Sequence, residues 1–302
     1  MIQPPLPVSA TETRNTASAA IDSLSPLQIV RLMSAEDQQV IDAVAREELA
    51  IARAIEIIAE RFASGGRLIY VGAGTSGRLG VLDASECPPT FSTPPEMVIG
   101  LIAGGRDALT RAIEGAEDDA QAAVIELQAL NVTSRDVVMG VATSGRTPYV
   151  LGALEYARSI GAFTIGFACN QGSAVAQVAE LMIAPIVGPE VITGSTRLKA
   201  GTATKLVLNM LTTGAMVRIG KTYGNLMVDL RATNEKLRDR SERIVADLTN
   251  LPQSQSSELL NHCGGEVKTA IVAALRDVTP DEARHFLSQC GGHLRATLDS
   301  MP

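Results

Sequence analysis

Two segments of this chain pair glycine with hydroxyl side chains: Gly72-Ala73-Gly74-Thr75-Ser76-Gly77 and Thr143-Ser144-Gly145-Arg146-Thr147-Pro148. Glycine lets a ligand approach the backbone closely. Where such a turn opens a helix, its first N–H groups and the helix dipole face the ligand and favour an anion. Hydroxyls add donors, and a compact phosphate suits the arrangement. A third segment, Gly194-Ser195-Thr196-Arg197-Leu198-Lys199, supplies more hydroxyls and two cations. The candidate phosphate ligands are Thr75, Ser76, Gly77, Thr143, Ser144, Gly145, Arg146 and Thr147, with Ser195, Thr196 and Lys199 beside them.

The first segment also spells G-x-G-x-x-G through Gly72, Gly74 and Gly77. A dinucleotide site wants an acidic residue at the end of the second strand, roughly 20 residues on. Here that strand ends in Ala103-Gly104-Gly105-Arg106, where Arg106 tolerates only a 2′-phosphate. A lone glycine match is weak, and the second hydroxyl-rich turn favours a compact phosphate. An NADP oxidoreductase therefore ranks last among the readings.

The turns need a scaffold. Short apolar runs at Leu68–Val71, Val98–Ile102, Val137–Val141, Phe163–Phe167 and Leu181–Ala184 read as strands buried on both faces, and helical segments alternate with them. The pattern predicts an α/β fold: a doubly wound five-stranded parallel sheet, with N-terminal helices and a small C-terminal all-helical module. Both turns then lie at the carboxyl ends of strands, where open α/β sheets bind ligands. The divisions expected are an N-terminal arm and helices over 1–56, the sheet domain over 57–222 and the helical region over 223–302. Helical spacing runs from Pro26 to Phe62 and is stopped by Gly65-Gly66. A long helix is predicted over about 200–219. The C-terminal module has Leu259, Leu260, Val267, Ile271, Leu275, Phe286 and Leu287 as its apolar set.

Composition narrows the function. The 302 residues carry a net charge of -7 with scattered Lys and Arg, and aromatics are 3% with no Trp. Neither a polyanion-binding face nor a base-stacking surface is expected, so no nucleic-acid partner. Cys87, Cys169, Cys263 and Cys290 show no CxxC spacing, which argues against a zinc knuckle and for reduced thiols. No signal-peptide pattern or membrane-length apolar run is present. A cytoplasmic protein without membrane partners is expected.

The motifs as they stand resemble a known family. Thr143 to Thr147 is similar to the phosphosugar-binding turn of the sugar isomerase (SIS) domain. The run from Val71 to Phe91 resembles the signature of the N-acetylmuramic acid 6-phosphate etherase family, and so do Thr13-Arg14-Asn15, Ile113 to Asp118, Gly194 to Thr202 and Val217 to Leu230. The resemblance spans nearly the whole chain. It implies cleavage of the C3 lactyl ether of N-acetylmuramic acid 6-phosphate to N-acetylglucosamine 6-phosphate and D-lactate, in cell-wall sugar recycling, by a homodimer without cofactor or metal.

The implied chemistry needs one acid and one base. Opening the sugar to its aldehyde makes the C2 proton acidic. A base removes it, an acid protonates the departing lactate oxygen, and water adds back across the double bond. Two carboxyl groups in opposite protonation states suffice. The resemblance places them at Glu86, as the acid, and Glu117, as the C2 base. By position alone, Glu117, Asp118 and Asp119 read as acids opening a helix that runs to Leu130, and Glu86 as a helix-end side chain before Pro88. A straight helix from Ser76 would carry Glu86 about 15 Å away along its axis. Either that helix breaks near Gly80 or Glu86 serves the partner's site, and sites built across a dimer interface are the expectation.

Two relatives of the same fold set the alternatives. A sugar-phosphate-sensing regulator needs the phosphate turns but not the two glutamates. An aldose–ketose isomerase would move the C2 proton to C1 and release no lactate.

Overall fold

The computed structural model describes residues 10–230 and 235–300, so the first nine residues of the N-terminal arm lie outside the description. The described residues fall into two compact units. One takes in the chain up to Ser85 together with Glu96–Thr212, and the other Glu86–Pro95 together with Thr213 onwards.

The described part of the first unit begins with 3-10 turns at Ala10–Glu12, within the expected N-terminal arm, and at Ile21–Ser23. Helix α1 (Pro26–Ala45) starts at a Ser25–Gln28 capping box with proline in its first turn. It stops at Arg46-Glu47, and α2 (Glu48–Ala63) follows, so the helical stretch is made of two helices. Strand β1 (Leu68–Gly72) leads into α3 (Gly74–Phe91), and β2 (Val98–Ile102), α4 (Ala120–Ala129), β3 (Val137–Val141), α5 (Pro148–Ser159), β4 (Phe163–Phe167), α6 (Ala174–Val178), β5 (Leu181–Ile183) and α7 (Lys199–Arg218) come after.

The five strands pair in parallel in the order β2-β1-β3-β4-β5. Central β1 and β3 are buried at every position, while edge strand β2 is buried at its ends and half-buried between them. The chain goes outward from β1 to β2, then returns past β1 to β3 and continues the other way. The direction of winding therefore reverses between neighbours β1 and β3, the switch point at which such sheets open a crevice. The core against one face of the sheet gathers Val138, Tyr149, Val150, Leu154 and Leu127.

Helix α3 lies close on the sheet because glycines meet there. A Cβ on Gly77 would fall 2.6 Å from Ile102 Cγ1, and one on Gly100 2.6 Å from the Val81 Cα. The third glycine of the G-x-G-x-x-G run is thus fixed by packing. Helix α3 runs through Gly80 unbroken.

In the second unit, a two-stranded hairpin of β6 (Thr222–Tyr223) and β7 (Leu226–Met227) precedes helices α8 (Glu235–Thr249), α9 (Gln253–His262), α10 (Val267–Arg276), α11 (Pro280–Gln289) and α12 (Leu294–Asp299). Its core includes Leu260, Val267, Ile271 and Leu287 from the expected set. Leu275 is 44% exposed instead, since it faces away on α10. No helix among the described residues is long and apolar enough to cross a membrane.

Candidate active site

A cavity of about 500 Å³ opens at the switch point. Its floor is made by the two glycine–hydroxyl turns. Gly74, Thr75 and Ser76 come from the first turn of α3, whose leading amides have no intrahelical acceptor. Thr143, Ser144, Arg146 and Thr147 come from the turn after β3, with Thr147 as the N-cap of α5 and Pro148 its first residue. Ser76 and Thr143 are buried, Ser144 and Thr147 half-buried, and the Arg146 side chain is exposed. The donors thus come from two helix starts facing one space, the geometry that holds a phosphate.

Gly145 shapes the second turn. Its φ is +72°, its N–H donates to Ala142 O at 2.7 Å, and its carbonyl accepts from Val175 N–H. A Cβ there would lie 2.2 Å from the Ser173 Cβ, so no other residue fits without moving α6. Gly145 lines a neighbouring cavity of about 560 Å³ behind the turn, together with Arg46, Asn170 and Ser173.

Two further walls complete the cavity. Gly194 and Thr196 form one, and Glu117 and Asp118 the other. Glu117 stands on a 3-10 turn, Ala116–Asp118, that follows a left-handed Gly115. Only Asp119 caps α4, accepting from Ala122 N–H at 3.0 Å. The acids expected to open one helix therefore divide: Asp119 satisfies the helix, and the exposed Glu117 and Asp118 line the cavity. Arg78 of α3 braces the loop before them by donating to Leu109 O at 3.1 Å and Arg111 O at 2.9 Å.

Four candidates are elsewhere. Gly77 packs on Ile102, and Ser195 is not on the cavity wall. The Lys199 side chain is fully buried, with Nζ 2.7 Å from Glu36 Oε2, 3.1 Å from Pro189 O and 3.4 Å from Gln39 Oε1. The leading amides of α7 are also taken, for Glu190 accepts from Lys199 N–H and Ala200 N–H, both at 2.9 Å. The third segment thus reaches the cavity by its loop alone. Glu86 is exposed on α3, ten residues along that helix from Ser76, where the second unit begins.

Known proteins match along the chain. The model of the glucokinase regulatory protein N-terminal SIS domain matches residues 50–158, and that of the SIS domain residues 119–214. The N-acetylmuramic acid 6-phosphate etherase of Rhodopirellula baltica is 64% identical over 262 residues, 87% of each chain. The etherases of Clostridium beijerinckii and Photorhabdus laumondii are 57% and 56% identical, over 86% and 87% of each chain. The chain belongs to the N-acetylmuramic acid 6-phosphate etherase family. The glycine–hydroxyl turns and Glu117 all fall inside the stretches matched by the SIS models.

Two placed groups are not among the candidates read from the sequence. Glu12 lines the cavity from the first 3-10 turn, ahead of the Thr13-Arg14-Asn15 motif. Asp83, buried in α3, accepts from Asn209 Nδ2 at 2.7 Å, Tyr70 OH at 3.0 Å and Thr212 Oγ1 at 3.2 Å, and burial pushes its carboxyl above the ordinary range. It ties α3 to β1 and α7, which holds the first turn in place.

Proposed function

We propose that this protein is a carbon–oxygen lyase that cleaves the lactyl ether of N-acetylmuramic acid 6-phosphate, yielding N-acetylglucosamine 6-phosphate and D-lactate in amino-sugar recycling. The observation that carries the reading is Glu117 in the lining of the cavity whose floor offers two helix starts, hydroxyls and Arg146 to an anion. The relatives above, all named for this etherase, supply the substrate. Residues 57–222 form the sugar-phosphate domain, and the protein works in the cytoplasm.

The phosphate sits on Thr75, Ser76, Ser144, Thr147 and the adjoining backbone, with Arg146 at the rim. With the sugar open to its aldehyde, Glu117 takes the C2 proton and the electrons form the C2–C3 double bond. The C3–O bond breaks, and a carboxylic acid gives its proton to the lactate oxygen. Water then adds at C3 and a proton returns to C2. Neither a nucleotide nor a metal has a part in these steps.

Glu86 is the acid, and it serves the site of a second subunit. Its distance along α3 from Ser76 supports this, and so does the surface of α1. Leu27, Val30 and Ile41 fall within about 60° of one another around that helix and stand 57%, 61% and 52% exposed. Such an apolar stripe fits a homodimer contact. Glu86→Gln and Ser76→Ala each lower activity as homodimers, Glu86→Gln by about 10²- to 10⁴-fold in kcat. Mixed subunits of the two variants regain activity in the heterodimer fraction. A mixture as inactive as its components rules out the shared site.

A further inference from the structure

Glu12 lines, with Glu117 and Asp118, a cavity whose floor is built for an anion. It is held there from both sides. Ala10 N–H donates to Asn170 Oδ1 at 2.8 Å, and Asn170 Nδ2 donates in turn to Thr143 O at 2.9 Å, the first residue of the second hydroxyl-rich turn. The carbonyl of buried Thr11 accepts from Gly194 N–H at 3.2 Å. Farther along, buried Asn15 donates to Glu36 Oε2 at 2.8 Å. One turn of chain is therefore fastened to the floor and to one wall of the cavity, and Glu12 is the residue it presents.

The Gly194 wall leaves room for the carboxylate. Gly194 has φ +77°, and a Cβ on it would come within 3.1 Å of Glu12 Oε2. A side chain there would push the carboxylate away.

A fixed negative charge beside phosphate donors opposes the phosphate. An ionised carboxylate is also acceptor-only, so it gains only from O–H or N–H groups on the ligand. An amino-sugar phosphate has such groups at the end away from its phosphate. We propose that Glu12 is a specificity residue: its carboxylate accepts hydrogen bonds from the sugar's hydroxyl or acetamido N–H and selects a polyhydroxy phosphate over a bare anion. The inference rests on the amino-sugar-phosphate reading of this cavity.

The two parts of the ligand separate in binding experiments. N-acetylglucosamine 6-phosphate by calorimetry and inorganic phosphate by ³¹P titration are the probes, on the wild type, Glu12→Gln and Glu12→Ala. Loss of a charge-assisted hydrogen bond weakens the sugar phosphate about 10- to 100-fold in Glu12→Ala. Inorganic phosphate binds that variant as tightly as before or more tightly, because a repelling charge has gone. Glu12→Gln, which keeps one acceptor oxygen, falls between. Equal weakening of both probes would make the turn a mere brace for the loops and overturn the proposal, as would an unchanged sugar-phosphate affinity. The etherase reading fails separately: wild type that shows this binding pattern but releases no lactate would sink that reading and leave the role of Glu12 standing.

Discussion

Lys199 separates what a basic residue near a phosphate loop suggests from what the fold does with it. Its ammonium is fully buried against Glu36, which also accepts from Asn15. Lys199→Met removes the cation and leaves a buried carboxylate with amide donors only. Breaking a buried pair from one side costs about 3–5 kcal/mol, because the remaining charge is uncompensated. At roughly 2–4 °C per kcal/mol for a unit of this size, the melting temperature falls by about 6–20 °C. Adding Glu36→Gln removes the stranded charge and recovers at least half of the loss.

The pH dependence has a definite sign. Burial pushes the Glu36 carboxyl up, but hydrogen bonds from Lys199 and Asn15 and the charge of Lys199 outweigh it, so it titrates below its ordinary 4.5. A depressed carboxyl gives stability above 4.5 that is lost as pH falls through its folded value. The deficit of Lys199→Met is therefore full at neutral pH and shrinks in acid, where Glu36 is protonated in either protein. Thermal unfolding at several pH values, with calorimetric binding of N-acetylglucosamine 6-phosphate, reads both effects. A variant that melts like the wild type but no longer binds the sugar phosphate would make Lys199 a ligand and refute the structural reasoning.

Two more outcomes follow from the geometry. Gly145→Ala combines an unfavourable φ with a contact of 2.2 Å to Ser173, so sugar-phosphate affinity falls at least about 10-fold; an unchanged dissociation constant would mean that this turn does not touch the ligand. At the other end of β1 and β3, buried Asp136 holds Arg67 through contacts of 2.8 and 3.1 Å and accepts from Thr133 N–H. Burial raises its carboxyl, but Arg67 and the backbone donors hold it below the usual range. Asp136→Asn costs about 2–4 kcal/mol in denaturant unfolding at neutral pH, a deficit that shrinks in acid as Asp136 of the wild type is protonated, while KM stays unchanged.

Much of the fold is legible because its central signals are local. Strands buried on both faces leave unbroken apolar runs, and β2, β3 and β4 begin and end where those runs do. The glycine–hydroxyl turns are equally local, and the order of strands then brings two of them together at the switch point. Helix α7 is found by its period, yet Met210 and Val217, two of its apolar residues, are 43% and 47% exposed. Periodicity marks the helix but not how much of it neighbours cover. What stays hidden depends on distant partners. Glu12 is set by Asn170 and Gly194, and Lys199 finds Glu36, 163 residues away. Neither leaves a pattern in the adjacent sequence. Asp83 sits inside a recognisable motif, but its three donors come from three separate elements.

The central claim is an elimination begun by a carboxylate in this cavity. Incubating the purified protein with N-acetylmuramic acid 6-phosphate in D₂O, and following D-lactate and C2 deuterium together, tests it most directly. The account predicts stoichiometric lactate with deuterium at C2 of the N-acetylglucosamine 6-phosphate, and loss of both in Glu117→Gln. Lactate without C2 deuterium would contradict the elimination, exchange with a ketose product and no lactate would make the protein an isomerase, and tight binding with neither would make it a sensor.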